Sequence, residues 1–332
     1  MAWQIVGHSR TVEFLRQSLA IDRAAHAYLF SGPPQIGKTR LARTLAQALN
    51  CTEQDPPCGQ CRSCRKVEQN SHPDVQIVEG QSASGGILID QVRALQREAV
   101  LRPYEGRYRV FILRHAGRAT PEAADSLLKT LEEPPAHVVL ILTAVHAETL
   151  PSTVVSRCQR LDMQPAPIHA VEEALLKRDL DQAQAQLLAR LSAGRMGWAV
   201  RASEEKVFLQ QRQRDLDQLI TQLSKSRGER ISFAWEASRD SMRALRLIES
   251  WIGWWRDLLL LCGQGEDHII NTDRNDELLG LARNCSVAQA WKTLKSLQSA
   301  ASQIEANVNA RLAMESLLLQ MPHWPGMMAS QD

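Results

Sequence analysis

The stretch "AYLFSGPPQIGKTRLARTLAQALN" (27–50) decides the fold of the first half of this chain. It opens with a short apolar run, "AYLF" (27–30), which is typical of a buried strand. A turn containing glycine and proline follows, and "TRLARTLAQAL" (39–49) then has the apolar spacing of an amphipathic helix. Strand, turn and helix in this order indicate one unit of an α/β domain.

The turn in this stretch matches G-x-x-x-x-G-K-[ST] completely, with Gly32, Gly37, Lys38 and Thr39. Glycines let backbone N–H groups curl around phosphates, and the N-terminus of the following helix adds positive potential. We expect Lys38 to reach the β- and γ-phosphates and the Thr39 hydroxyl to ligate magnesium. Because a strand precedes the motif and a helix follows it, the sequence predicts a nucleotide-binding loop.

Four further apolar runs before residue 164 are typical of strands, and helical patterns separate several of them. The runs are "VQIV" (75–78), "VFIL" (110–113), "VVLIL" (138–142) and "RLDM" (160–163). Strands that alternate with helices predict a mostly parallel sheet.

The proline-containing segment "QPAPIH" (164–169) ends this alternation, and amphipathic helical patterns follow it. We expect three domains: an α/β P-loop domain over 1–163, a small helical domain over 164–204 and a larger helical domain over 205–332. In the last domain, tryptophans 251, 254 and 255 recur at helical spacing. This spacing favours a packed helix–helix contact over a platform for stacking bases.

The end of the third strand argues against ATP hydrolysis in this chain's own site. Hydrolysis needs an acid that holds magnesium and a residue that orients the attacking water. Arg114 and His115 stand where those two acids are expected, and an arginine cannot bind a cation. The other strand ends offer no paired acids, and "DVQIVEG" (74–80) supplies only Glu79.

Composition places the chain among ordinary globular proteins. It has 332 residues, of which 44% are hydrophobic and 23% charged, and its formal net charge is +2. No apolar run approaches the roughly 20 residues of a membrane span, and the first 20 residues do not resemble a signal peptide. We expect a cytoplasmic protein with no membrane contact.

Four of the seven cysteines, Cys51, Cys58, Cys61 and Cys64, have the spacing C-x6-C-x2-C-x2-C. Four thiolates within fourteen residues suit a closed tetrahedral zinc site without an open position for chemistry. Unligated reduced thiols and an iron–sulfur cluster are the alternatives. The spacing leaves these three choices open for a module that covers about residues 51–70.

Seven arginines lie between residues 93 and 118, and such a cluster can follow the phosphates of DNA. They are arginines 93, 97, 102, 107, 109, 114 and 118. A solvated face or a surface that meets another subunit explains the cluster equally well, and we favour these two interpretations.

Several of these motifs together resemble one family. "HAYLFSGPPQIGKTRLARTLAQALNC" (26–51), the cysteine cluster, "LLKTLEEPPAHVVLILTA" (127–144) and "STVVSRC" (152–158) occur in the order and at the distances found in the clamp-loader ATPase subunits of bacterial DNA polymerase III. Within that family, the length and the missing acids resemble the delta-prime subunits more than the gamma/tau motor subunits.

The resemblance implies an AAA+ domain, a helical lid and a C-terminal collar domain. It also implies a hetero-pentameric ring with gamma/tau and delta subunits, which opens the sliding clamp and places it on primed DNA. Zinc on the four cysteines, and ATP or ADP bound without hydrolysis, are expected from it. Gly197 stands where the motor subunits carry a second sensor arginine. The chain would then be an accessory subunit of a DNA polymerase without catalysis of its own.

The resemblance gives Arg157, within "SRC" (156–158), the role of an arginine finger. From spacing alone it is any surface arginine. A finger reaches into the ATP site of the next subunit and neutralises charge on the γ-phosphate, and it raises the rate there by about 10³–10⁵.

Two alternatives to this assignment remain. An active motor-type clamp-loader ATPase predicts an acid at the strand end, which Arg114 and His115 contradict. A zinc-containing adaptor for nucleic acid predicts tight DNA binding by the isolated chain, which the small net charge disfavours.

Overall fold

The computed structural model describes residues 3, 5–82, 85–306 and 308–324. These residues form two compact units. Of the described residues, those up to 174 and those of 194–198 form the first unit, and those of 175–193 and from 199 onward form the second. The three domains expected from the sequence, with their boundaries, stay a prediction.

The first unit is built on five parallel strands in the order β2-β3-β4-β1-β5. The strands are β1 (Ala27–Ser31), β2 (Val75–Val78), β3 (Arg109–Leu113), β4 (Val138–Ala144) and β5 (Gln159–Asp162). All five strands predicted from the apolar runs are confirmed.

Helices cover both faces of this sheet. The helices up to residue 176 are α1 (Ser9–Ala20), α2 (Lys38–Asn50), α3 (Arg62–Glu68), α4 (Ile89–Ala99), α5 (Pro121–Glu132), α6 (Ser152–Val155) and α7 (Ile168–Leu176). Successive side chains of a strand point to opposite faces. Leu29 of β1 therefore packs in a core with α4 and α5, whereas Tyr28 and Phe30 pack in another with α1 and α2. This three-layer arrangement, with its parallel sheet and its β1–loop–α2 motif, confirms the predicted α/β P-loop fold.

The remaining elements are helical. They are α8 (Gln182–Ser192), α9 (Met196–Glu204), α10 (Lys206–Ser224), α11 (Arg227–Ala237), α12 (Ser241–Cys262), α13 (Asn275–Ala282), α14 (Val287–Glu305) and α15 (Ala310–Gln320). Trp251, Trp254 and Trp255 of α12 are fully buried in the core of the second unit. The predicted helix–helix packing of these tryptophans is confirmed. No helix within the described residues is long and apolar enough to cross a membrane.

Arg230 of α11 organises one end of the second unit, because its side chain is only 3% exposed and holds five backbone carbonyls. It donates to the carbonyls of Gln222 (2.8 Å), Leu223 (3.1 Å), Leu318 (3.0 Å), Met321 (2.9 Å) and Pro322 (2.7 Å). The guanidinium thereby ties the end of α10 to the end of α15. A buried carbonyl that loses its donor is costly.

We predict that Arg230→Met lowers the free energy of unfolding by about 3–5 kcal/mol, because several buried carbonyls lose their donor together. Urea denaturation followed by circular dichroism measures this change. Arg227→Met is the matched control, since Arg227 is exposed at the start of the same helix. It should change stability by less than about 0.5 kcal/mol. Equal stability of the Arg230 variant and the wild type would contradict the structural role.

Candidate nucleotide and metal sites

The loop between β1 and α2 has the backbone that the phosphate-binding motif requires. Gly32 and Gly37 have φ values of +147° and +116°, which other residues rarely adopt. A Cβ atom on Gly32 would lie 2.4 Å from the carbonyl oxygen of Met163, so a side chain does not fit there. Lys38 begins α2, and its ammonium donates to the carbonyls of Gly32 and Pro33 (2.7 Å for Pro33). The lysine head group therefore lies over the loop.

Thr39 follows Lys38 in the first turn of α2 and is half-buried. The structure thus brings all four predicted loop residues together at the carboxyl end of β1. The N-terminus of α2 lies there, and the positive end of the helix dipole favours an anion. The arrangement is suited to a nucleotide's phosphates, although the binding role of these residues is a prediction.

The end of β3, next to β4, carries a cation. Arg114 follows the strand directly, and its guanidinium forms an ion pair with Glu79. Glu79 directly follows β2, the other neighbour of β3, so the acid at that strand end is paired with this arginine. His115 has a φ of +53°, and its backbone N–H donates to the Thr143 hydroxyl at 3.1 Å.

His115 has an unusually low pKa, of about 4. Burial is the main cause, and the positive charges of Arg118, Arg114 and Lys38 lower the pKa further, while Glu79 opposes them. The imidazole is therefore neutral at pH 7. These three positive charges make the electrostatic potential at the end of β3 positive, so a further positive charge is unfavourable there.

Gly197 lies against the loop. A Cβ atom at this position would approach the carbonyl oxygen of Gln35 to 2.6 Å, so this backbone leaves no space for an arginine. The nearby Arg195 lies over the ring of Trp198, with its guanidinium carbon 5.9 Å from the ring centroid. The geometry agrees with the expected lack of a second sensor arginine at Gly197.

Arg157 lies just after α6, and its contacts are with residues outside the phosphate-binding loop. It donates to the carbonyl of Thr153 at 2.8 Å and forms an ion pair with Glu132 at 2.7 Å. Among the described residues it makes no hydrogen bond to the phosphate-binding loop. Its side chain is 35% exposed. It is therefore placed at the surface, where another molecule can reach it.

The four clustered cysteines converge. Their Sγ atoms all lie within 4.8 Å of one another, and those of Cys51 and Cys61 are 4.0 Å apart. A tetrahedral zinc ion with bonds of about 2.3 Å to sulfur separates its ligands by about 3.8 Å. The set fits one tetrahedral ion, and its position joins the end of α2 to the start of α3.

Backbone N–H groups already point at these sulfurs. Cys58 donates to Cys51 (3.4 Å), Cys61 donates to Cys58 (3.2 Å), and Cys64 donates to Cys61 (3.4 Å). Burial alone would raise the pKa of Cys61, but hydrogen bonds from the backbone of Cys64 and Thr52 lower it to about 6. Metals bind the thiolate, so this environment favours the binding form of Cys61, whereas burial raises the pKa of Cys51 and Cys64.

Two acids at these sites received no role from the sequence. Glu79 was noted only as an isolated acid, and its pairing with Arg114 joins residues 35 apart in the chain. Glu132 lies inside "LLKTLEEPP" (127–135), a motif that identified the family without assigning this carboxylate. Exposed ion pairs leave no periodic signal in a sequence, so only the fold reveals them.

Comparison with known proteins agrees with the family resemblance found in the sequence. The family described as "DNA polymerase III, delta subunit" matches residues 7–167. DNA polymerase III subunit delta' of Bacillus subtilis (strain 168) is 29% identical over 317 residues, which cover 94% of this chain and 95% of that protein. The chain is therefore similar to a DNA polymerase III subunit over nearly its whole length, and its first half matches the delta-subunit family.

A second relative and a solved structure are also similar to this chain. DNA polymerase III subunit tau of B. subtilis (strain 168) is 34% identical over 169 residues, covering 50% of this chain and 30% of that protein. Among solved structures, a DNA polymerase III gamma subunit-related protein from Thermotoga maritima is 17% identical, with a TM-score of 0.38, over 93% of this chain and 97% of that chain.

We predict that His115 makes the stability of the first unit dependent on pH. The unfolded chain takes up a proton on this imidazole below pH 6.5, whereas the folded chain does so only below about pH 4. The free energy of unfolding therefore falls by about 2 kcal/mol as the pH drops from 6.5 to 4, allowing for partial exposure.

The measurement compares the wild type with His115→Asn in urea denaturation at pH 7.5 and pH 4.5. The difference in unfolding free energy between the two proteins should shift in favour of the variant at the lower pH. A difference that does not change with pH would show that His115 titrates normally in the folded chain.

Proposed function

We propose that the chain is a delta-prime-like clamp-loader subunit that does not hydrolyse ATP and that completes the ATP site of a neighbouring subunit. The observation that carries this proposal is the pair Arg114–Glu79 beside a complete phosphate-binding loop. The extent of similarity to the B. subtilis delta' subunit, 94% of this chain, supports it as well.

Hydrolysis is disfavoured by electrostatics at the end of β3. Magnesium between the β- and γ-phosphates needs a carboxylate there, directly or through water. Arg114 places a positive charge at that position, and the pairing with Glu79 removes the nearest acid. The imidazole of His115 is neutral, but without a placed metal it has no activated water to orient. ATP or ADP is then held by the loop without turnover.

The first experiment measures nucleotide binding and turnover by the purified chain with magnesium, in the presence and absence of primed DNA. We expect saturable ATP binding that Lys38→Ala weakens by at least tenfold, because the ammonium is lost from the phosphates. We expect no turnover above background. Sustained turnover that Lys38→Ala abolishes would favour the motor-type ATPase, for which the intact loop is the supporting observation.

The arginine that we propose as the finger is Arg157. Its exposed position beyond α6 supports this role, since a finger must leave its own subunit. It would explain why a subunit with an inert site retains a complete AAA+ domain. The neighbours would be gamma/tau and delta subunits in a pentameric ring, acting with the sliding clamp and primed DNA.

The second unit offers surfaces for such neighbours. Large apolar side chains are exposed on α11 and α15, among them Ile231, Trp235, Leu312 and Leu319. We propose that these helices belong to the collar through which subunits associate. The arginines between residues 93 and 118 are less suited to DNA, because several have acidic partners; these are the pairs Arg93–Asp90, Arg107–Asp22, Arg109–Asp74 and Arg114–Glu79. A cytoplasmic location is part of the proposal.

We further propose that the four cysteines hold one structural zinc ion. All four positions around a tetrahedral ion are filled by sulfur, which leaves no site for water or substrate. The N–H···S contacts support thiolate ligands and fix their orientation. The ion would close the segment between α2 and α3 and would take no part in catalysis.

We predict one zinc ion per chain in the purified protein, measured by plasma emission spectroscopy. Cys61→Ser and Cys64→Ser should each lose most of the zinc and lower the melting temperature, because a structural ion stabilises the fold that binds it. Cys158→Ser, outside the cluster, is the control and should keep the metal. Iron with visible absorption would instead support an iron–sulfur cluster, and metal-free protein would support simple thiols.

A further inference from the structure

The side chain of Arg157 is held by two neighbours. Glu132, the last residue of α5, accepts from Nη2 at 2.7 Å. The carbonyl of Thr153 in α6 accepts from Nη1 at 2.8 Å. Two nitrogens of one rigid planar group are thereby fixed by two different helices, so the plane and direction of the guanidinium are set.

The same contacts leave donors for another partner. A guanidinium has five N–H groups, and the contacts with Glu132, Thr153 and the Ser156 hydroxyl use at most three. The side chains of Arg157 and Glu132 are 35% and 50% exposed. The remaining donors are accessible from solvent and match the oxygens of a phosphate group.

Helix α5, which ends at Glu132, does not itself stabilise this carboxylate. The last turn of a helix carries negative potential from its unpaired carbonyls, which disfavours an acid there. The pair with Arg157 offsets that local cost. The carboxylate therefore has its main interaction with the arginine rather than with its own helix.

The pair is too exposed to withhold the arginine from a nucleotide. Ion pairs at the surface contribute little, because water screens them and holding two long side chains in one geometry costs entropy. A nucleotide phosphate carries more charge than a carboxylate and accepts from a guanidinium in the same forked geometry. Glu132 is therefore too weak a partner to compete with a phosphate for Arg157. An ion pair of this strength is enough to restrict the rotamers of the arginine.

We propose that Glu132 is a positioning residue, which pre-orients Arg157 for the γ-phosphate bound in the neighbouring subunit. The inference rests on the finger function proposed above. Pre-orientation lowers the conformational entropy that the arginine loses when it engages the phosphate, and so it acts on turnover more than on ATP binding.

The test uses the complete ring, reconstituted from this chain and its clamp-loader partners. ATP sites other than the one facing Arg157 are inactivated by replacing their loop lysines with alanine. Steady-state ATP hydrolysis is measured with clamp and primed DNA. We expect Glu132→Gln to lower kcat by about three- to tenfold with KM for ATP unchanged, and Arg157→Ala to lower it by about 10³-fold.

Glu133→Gln is the matched control, because the carboxylate of Glu133 makes no ion pair or hydrogen bond with any described residue. It should leave kcat unchanged. Glu132→Gln should also have no further effect in the Arg157→Ala background, since the two residues act as one unit. Unchanged melting temperatures of both glutamine variants would separate positioning from folding.

The outcomes distinguish the two proposals. If Arg157→Ala lowers kcat but Glu132→Gln does not, or if Glu132→Gln raises it, the positioning role is wrong and the finger stands. If Glu132→Gln lowers kcat equally with and without Arg157, the carboxylate acts by another route and the inference also fails. If Arg157→Ala has no effect, the finger function fails, and the role of Glu132 fails with it.

Discussion

The position of the phosphate-binding loop and of the residues after β3 depends on one constraint. Strand β1 is hydrogen-bonded in parallel between β4 and β5. In a parallel sheet the carboxyl ends of all strands lie at one edge, and the loops that leave them meet there. The phosphate-binding loop leaves β1 at this edge, and Arg114 and His115 leave β3 two strands away. The position of the proposed nucleotide site is therefore a consequence of strand order.

Under the proposed function, the same framework explains how a phosphate-binding site would lose hydrolysis without losing its fold. Residues Val110 to Leu113 of β3 are buried and pack as in any central strand, regardless of the residue that follows them. Replacing an acid by Arg114 at the exposed end leaves the core intact but reverses the charge. Glu79 then stabilises the arginine. Stability is thus set within the strand, and chemistry is set one residue beyond it.

The sequence predicted the strands, the loop and the cysteine cluster, because each leaves a local signal. Apolar runs gave all five strands, fixed spacing gave Gly32 to Thr39, and the thiols lie within fourteen residues. The ion pairs of Arg114 and Arg157 had no such signal, since each joins exposed side chains on different elements. The extent of the first unit was hidden for the same reason. Residues 194–198 group with it through contacts distant in sequence.

The central claim is that this chain acts on a neighbour's nucleotide and not on its own. The most direct measurement compares DNA-stimulated ATP hydrolysis of two reconstituted rings, one carrying Lys38→Ala and the other Arg157→Ala in this subunit. The account predicts that the Lys38 ring retains the wild-type rate and that the Arg157 ring loses hydrolysis at the adjacent site. A ring that loses turnover with Lys38→Ala and keeps it with Arg157→Ala would contradict the account.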